Sequence, residues 1–251
     1  MATFELRPRL RAATIHLLIS FVVAGLVALF LLLVWYPSPW REAAGGVKLI
    51  LIILVVDVTL GPLLTFFVFD RKKKSLPYDL AFVGLLQLSA LVYGCYIAAD
   101  ARPAFVVAVG DRIYVTGANA ILPESYAAAK DPVFAAAPWT GPVLIGAIVS
   151  GSADERFKAL STAMAGADLN EYPAYFVAWS DALPKLLEKS QAAAAVLARS
   201  GSEQAKLERW LQQYADLRVV PVKGRFGWYA GLLEPGSGIV VDVLNFDPWP
   251  E

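Results

Sequence analysis

The sequence contains one cysteine and one histidine, and both scarcities exclude classes of chemistry. A single thiol, Cys95, cannot form an intrachain disulfide, so cysteine usage indicates no redox compartment. A single imidazole, His16, leaves too few ligands for a histidine-based zinc site and little from which to build a catalytic triad. Basic and acidic residues number 22 each, so no charge excess indicates a nucleic-acid partner. We therefore expect no metal, no cofactor and no nucleic acid.

Motifs that mark enzymes are also missing from the sequence. It has no GxSxG nucleophile motif, no glycine-rich phosphate loop and no Walker-type lysine. The acidic pair Asp154-Glu155 suits a helix start, and the acidic residues at 168–171 lack calcium-binding spacing. The sequence predicts no catalytic residues and a protein that is not an enzyme.

Apolar residues, in contrast, are in excess at 57%, and the mean hydropathy is +0.54. They concentrate in three runs at residues 15–35, 47–69 and 80–99. About 20 helical residues cross a hydrocarbon layer of roughly 30 Å, and in lipid the backbone must satisfy its own hydrogen bonds. The first run is too long for the apolar region of a signal peptide, so we expect a retained anchor. The sequence predicts three transmembrane α-helices followed by an α+β extracytoplasmic domain.

Lysine and arginine positions predict the orientation of these helices. Seven cations lie before the first run or between the second and third, and two lie between the first and second: Arg7, Arg9, Arg11, Arg71, Lys72, Lys73 and Lys74, against Arg41 and Lys48. We expect the arm 1–14 and the 70–79 loop in the cytoplasm of a bacterium, residues 15–100 in the inner membrane, and 101–251 in the periplasm. Four aromatic residues are then expected at the outer membrane boundary: Trp35, Tyr36, Trp40 and Tyr96.

Asp57 stands near the middle of the second run, where a carboxylate costs on the order of 3 kcal/mol and should face a partner. Gln87 and Ser89 have similar depth on the third run. Asp57 therefore either engages a polar group of a partner helix or relays protons, or it bonds Gln87 and fixes helix packing. Gly61 and Pro62 predict a kink, which serves either packing alone or a notch between helices.

The remaining chain alternates strand and helix patterns typical of an α+β domain whose sheet is assembled from both ends of the segment. A hairpin is expected around Gly110-Asp111, and a capping box at Ser152 and Glu155 predicts a helix over 153–164 that ends at Gly166. Further helices are predicted over 123–130, 181–199 and 202–214, and further strands over 142–149, 217–222, 227–233 and 239–244.

A basic and aromatic group between the last strands forms the second candidate site. It contains Lys223, Arg225, Phe226, Trp228 and Tyr229. Arginine and aromatic residues are enriched at interface hot spots, so the group could be an outer contact surface. Equally, alternate residues of a strand could belong to the core.

Several stretches resemble the type IV pilin accessory proteins of the TfpX/TfpZ type. They include HLLIS (16–20), WYPSPW (35–40), VDVTLGPLLT (56–65), KKSLPYDLA (73–81), LLQLSALVYGCY (85–96), ARPAFVVAVGDR (101–112), AGADLNEYPAYF (165–176) and KGRFGWYAGLLEPGSG (223–238). The resemblance implies support of pilus biogenesis from the inner membrane, without a known catalytic activity. It marks Asp57, Gly61, Pro62 and the loop 73–76, but gives them no individual roles.

The residues and the resemblance together predict an accessory factor that binds or stabilises type IV pilin subunits in the membrane. The predicted intramembrane site comprises Asp57, Gly61, Pro62 and Gln87. The alternative is a periplasmic ligand sensor that signals through a separate membrane partner. A membrane enzyme acting on lipid or glycan is disfavoured, because no acid, base and nucleophile converge in the sequence.

Overall fold

The computed structural model describes residues 5–149, 151–164 and 168–249. The chain forms two compact units: residues up to Leu33 with Val47–Ala99, and Val34–Gly46 with the residues from Asp100 onward. The three predicted apolar runs lie in the first unit. The second unit holds the predicted outer domain and also residues 34–46, which the sequence assigned to the membrane region.

Three long helices dominate the first unit. Helix α1 spans Leu6–Phe30 and continues as a π-helical turn over Leu31–Trp35, α2 spans Gly46–Val68, and α3 spans Leu76–Asp100. Among the described residues these three, of 30, 23 and 25 residues, are long and apolar enough to cross a membrane. Helix α1 starts within the predicted arm, because the leucines, arginines and alanines of residues 6–13 are good helix formers.

Charged side chains join the ends of these helices. Arg9 donates to the carbonyl oxygens of Phe66 and Phe67 at 3.3 and 2.8 Å, so a cation from α1 satisfies acceptors at the C-terminus of α2. Lys73 pairs with Asp79 at 2.7 Å in the first turn of α3. A carboxylate there also complements the positive end of the helix dipole.

The second unit is built on a mixed sheet of eight strands, in the order β4-β3-β1-β2-β6-β7-β8, with β5 paired to β6. The strands are β1 (Pro103–Val109), β2 (Arg112–Gly117), β3 (Val143–Ala147), β4 (Phe176–Ala178), β5 (Gln191–Ala192), β6 (Arg218–Lys223), β7 (Trp228–Leu233) and β8 (Val240–Leu244). The α-helices α4 (Ala153–Met164), α5 (Trp179–Lys189) and α6 (Gln204–Gln213) complete it, with several short 3₁₀ turns.

The sheet confirms the predicted hairpin at 110–111 and the three C-terminal strands. Strand β1 is antiparallel to β2 but parallel to β3, and β2 is parallel to β6, so early and late segments of the chain meet at its centre. Helix α4 has the predicted bounds, and its predicted end at Gly166 lies outside the described residues. Strand β4, only three residues long, was too short for its pattern to be recognised.

The single helix predicted over 181–199 is wrong. Helix α5 ends at Lys189, and the chain then forms β5 and a 3₁₀ turn over 193–199. The Ser190 hydroxyl donates to the carbonyl of Leu187 at 2.6 Å and accepts from Arg218 at 2.8 Å. A contact with a residue on β6, distant in sequence, therefore ends a helix that alanine-rich sequence would continue.

The structure shows what surrounds Tyr36 and Trp40, two of the residues predicted at the outer membrane boundary. Both are buried, and Trp40 packs with Ala43 in a core that contains Val106, Ile113 and other strand residues. Burial raises the pKa of Tyr36 to about 12, so its phenol stays neutral. The segment after α1 is therefore a structural part of the second unit rather than a loop at its edge.

Replacing Trp40 with alanine tests this assignment. A large buried aromatic residue truncated to alanine costs about 3–5 kcal/mol, which lowers the melting temperature by on the order of 10 °C. Thermal unfolding of the detergent-purified protein, followed by circular dichroism, measures the change. Phe157→Ala, at an exposed position of α4, is the control and should melt like the parent. Equal melting of both variants would contradict a core position for Trp40.

Candidate functional site

The candidate site inside the first unit is centred on the carboxamide of Gln87 in α3. Its Nε2 atom donates to the Ser20 hydroxyl and to the backbone carbonyl of Asp57, both at 2.8 Å. Its Oε1 atom lies 2.7 Å from Nε2 of His16. One amide side chain therefore links α3 to α1 and to α2.

The partners of Gln87 show which atom of the carboxamide faces His16. A backbone carbonyl can only accept, so the amide nitrogen of Gln87 faces Asp57 and its oxygen faces His16. The Nε2 atom of His16 therefore donates to the Gln87 oxygen. Its Nδ1 atom shares a hydrogen bond with the Thr65 hydroxyl, 2.5 Å away on α2. The side chains of His16, Thr65 and Gln87 thus form their hydrogen bonds with protein atoms, as an apolar environment requires.

Gly61 is positioned by the same network. A Cβ atom at residue 61 would collide with the Gln87 carboxamide, whose Cδ atom would lie 2.6 Å from it. Pro62, next in the chain, is buried within α2, which continues through it to Val68. Glycine at 61 is therefore needed for α3 to place a polar side chain against the α2 backbone, and the predicted kink at Pro62 stays a prediction.

Asp57 differs from its neighbours because its carboxylate takes no part in this network. The residue is only 3% exposed, and its Oδ1 atom is buried without a hydrogen-bond partner among the described residues. The sequence-based alternative in which the carboxyl group bonds Gln87 is not what is observed, since Gln87 contacts the Asp57 carbonyl instead. Ser89, the other suggested partner, is exposed and donates to Leu85 of its own helix.

Asp57 lines a small cavity of about 30 Å³ and two larger ones among the described residues. One, of about 190 Å³, is lined by α1 and α3 residues that include His16 and Gln87. The other, of about 280 Å³, lies between α2 and α3 and is lined by Leu49, Ile52, Ile53, Val56, Asp57, Ala90, Tyr93, Gly94 and Ile97. The second is an almost wholly apolar groove, which we call the α2–α3 groove. It is chemically suited to an apolar helix that carries one hydrogen-bond donor.

The sequence alone predicts no hydrogen-bond partners for His16, Ser20 or Thr65. The signal was present as a four-residue spacing, because His16 and Ser20 share one face of α1. Asp57, Gly61 and Thr65 share one face of α2 in the same way. Spacing alone does not show which faces meet, however, and Gln87 provides that information only in the folded bundle.

The residues of the second candidate site lie in different surroundings in the folded protein. Tyr229 is buried in the core, as one of the two sequence interpretations expects. Trp228 lies beneath two cations, with the Arg112 guanidinium 5.4 Å and the Lys223 ammonium 4.8 Å from its ring centre. Arg225 and Phe226 instead form an exposed loop between β6 and β7. The five residues therefore do not make one surface.

Arg112 also carries an ion pair beside Trp228. Its Nε atom lies 2.8 Å from the Asp111 carboxylate, and this hydrogen bond lowers the pKa of Asp111. The guanidinium lies 5.4 Å from the centre of the Trp249 ring as well, so two indole rings flank one cation. This arrangement anchors the C-terminal residues to the start of β2.

Replacing Gln87 with leucine tests the polar network. The change removes the hydrogen bonds to His16, Ser20 and the Asp57 carbonyl, and in a membrane each is worth about 0.6 kcal/mol, with a maximum near 1.7. We expect a loss of about 1–3 kcal/mol, measured by unfolding of the purified protein in mixed micelles. Ser89→Ala on the same helix removes only a bond within α3 and should change little. Equal stability of the two variants would contradict the network.

Comparison with known proteins identifies relatives of this chain. The family model for the fimbrial assembly protein FimB matches residues 4–45. Two fimbrial assembly proteins of Dichelobacter nodosus, of serogroups I and E1, are each 33% identical over 207 residues, which covers 82% of this chain and 80% of theirs. A third, of serogroups C1 and C2, is 40% identical over 110 residues, 43% of this chain and 84% of its own. No solved structure matches the chain.

The two 207-residue matches extend over most of the chain, and together with the family model they confirm the resemblance to pilus accessory proteins. The chain belongs to the family of fimbrial assembly proteins.

Proposed function

We propose that this protein is an inner-membrane accessory factor of type IV pilus biogenesis that binds pilin subunits and catalyses no reaction. Its membership of the fimbrial assembly family supports a role in pilus biogenesis. The observation that carries the binding proposal is Asp57, which lines the α2–α3 groove and whose buried Oδ1 atom has no partner among the described residues.

In this proposal helices α1, α2 and α3 span the inner membrane. The cations before the first apolar run and between the second and third support a cytoplasmic N-terminus and a cytoplasmic 70–79 loop. With three spans, the second unit would then be periplasmic. The protein thus presents a helix-binding groove in the bilayer and a folded domain outside it.

A pilin subunit held in the inner membrane would offer an apolar helix and an outer globular head. The helix lies in the α2–α3 groove and donates one hydrogen bond to Asp57, while residues 101–251 contact the head. A buried acceptor left unsatisfied costs about 1–3 kcal/mol, so a donor from a partner relieves a cost that the free protein carries. Asp57 thereby selects a helix with a correctly placed polar group from apolar helices in general.

Photo-crosslinking in native membranes tests this arrangement. A benzoylphenylalanine at Tyr93, which lines the groove, should capture pilin upon irradiation. The same probe at Phe21, a similarly exposed aromatic position of α1, is the matched control and should not capture it. Equal capture at the two positions, or capture only at Phe21, would contradict binding in the α2–α3 groove.

The double variant Asp57→Asn with Pro62→Ala tests the polar contact itself. Asparagine preserves volume but removes the carboxylate charge and one of the two acceptor oxygens, so the hydrogen bond from pilin is weakened. A loss of about 1 kcal/mol corresponds to roughly five-fold weaker capture by the Tyr93 probe. Parental capture and normal piliation would count against the proposal. Under the alternative of a periplasmic ligand sensor, neither probe captures pilin.

A further inference from the structure

The loop Gly224–Gly227 between β6 and β7 lies against the residues that lead directly into α2. The backbone N–H of Arg225 donates to the carbonyl oxygen of Ala43 at 2.8 Å. A Cβ atom at residue 224 would lie 2.5 Å from the same oxygen, so only glycine permits this approach. The Phe226 ring covers Gly45, whose φ of +76° also requires glycine.

A second segment of the same unit lies against the residues that follow α1. The Gly141 N–H donates to the carbonyl oxygen of Val34 at 2.7 Å. The Trp139 ring meets the Trp35 ring edge-on, with 5.8 Å between their centres. Trp35 is the last residue of the apolar helix that begins at Leu6. The 138–141 segment is therefore fixed at the exit of α1, just as 224–227 is fixed at the entry of α2.

The exit of α3 leads into the first residue of β1, at the same end of the strands as these two loops. Arg102 follows α3 by two residues, and its guanidinium lies 4.9 Å from the centre of the Trp139 ring. Ala101 and Pro103 line a cavity of about 180 Å³ together with Arg225 and Ala44. Within the second unit, the residues that connect it to the apolar helices thus lie along one rim, which contains the loops 138–141 and 224–227.

This rim exposes the side chains typical of a membrane–water boundary. Phe226 is 56% exposed and Trp139 is 67% exposed, although each is fixed by its backbone neighbours. Arg225 is exposed beside them. Aromatic rings favour the headgroup region, and a guanidinium matches the geometry of a phosphate group.

We propose that Trp139, Arg225 and Phe226 form a lipid-contact rim that seats the second unit on the headgroups of the outer leaflet. The two rings enter the interface, and the Arg225 guanidinium binds phospholipid phosphate. This inference rests on the membrane insertion in the proposed function, but it assigns Arg225 and Phe226 to lipid rather than to pilin. The rim contacts lipid without any partner protein.

The experiment uses the full chain with Cys95→Ser, reconstituted without pilin in phosphatidylethanolamine–phosphatidylglycerol vesicles and labelled with an environment-sensitive fluorophore at one new cysteine. The rim is probed by Phe226→Cys and, separately, by Trp139→Cys. Ile239→Cys is the aqueous control, since it is equally exposed beside the turn at the opposite end of β7. Leu29→Cys in α1 reports insertion of the helices themselves.

At both rim positions we expect quenching by a lipid with a nitroxide near its headgroup, and iodide quenching several-fold weaker than at 239. Adding Arg225→Gln to the Trp139 label should raise iodide quenching several-fold. If iodide quenches the rim labels as strongly as the 239 label while lipid nitroxides still quench the Leu29 label, only the lipid-contact rim is contradicted. If lipid nitroxides do not quench the Leu29 label, membrane insertion is contradicted, and with it both proposals.

Discussion

Polar groups inside an apolar helix bundle must find their hydrogen-bond partners within the protein, because lipid supplies none. Gln87 meets this requirement for three helices at once, since its amide contacts His16, Ser20 and the Asp57 carbonyl. These bonds determine which faces of the helices meet, whereas apolar packing alone would allow many rotations of each helix about its axis. Gly61 is a consequence of the same constraint, because a larger residue would occupy the position of the Gln87 amide.

Asp57 stands out against this background of satisfied groups. Its carbonyl completes the network, and its buried Oδ1 atom has no partner among the described residues. The residue also lines the α2–α3 groove. In the proposed function, the network keeps the groove in the shape that a partner helix needs, so that binding requires little rearrangement, and the carboxylate makes the groove selective.

Much of the fold could be predicted from the sequence because single elements carry strong local signals. Long apolar runs identified the three helices, and Gly110-Asp111 identified the first hairpin. Three features depend on contacts between residues that are distant in sequence, and these features were not predicted. Trp40 follows an apolar helix and suits an interface or a core equally well, and only the sheet shows that it is core. Ser190 ends α5 through Arg218, and the partners of His16 depend on helix rotation.

In the proposed topology the apolar bundle lies in the inner membrane, the loop of basic residues lies in the cytoplasm, and the folded unit lies in the periplasm. Alkaline phosphatase folds into an active enzyme only in an oxidising compartment such as the periplasm. Fused after Trp249 it should be active, and fused within the 71–74 loop it should be inactive, with equal amounts of both proteins made. Activity of the loop fusion together with inactivity of the C-terminal fusion would contradict the account.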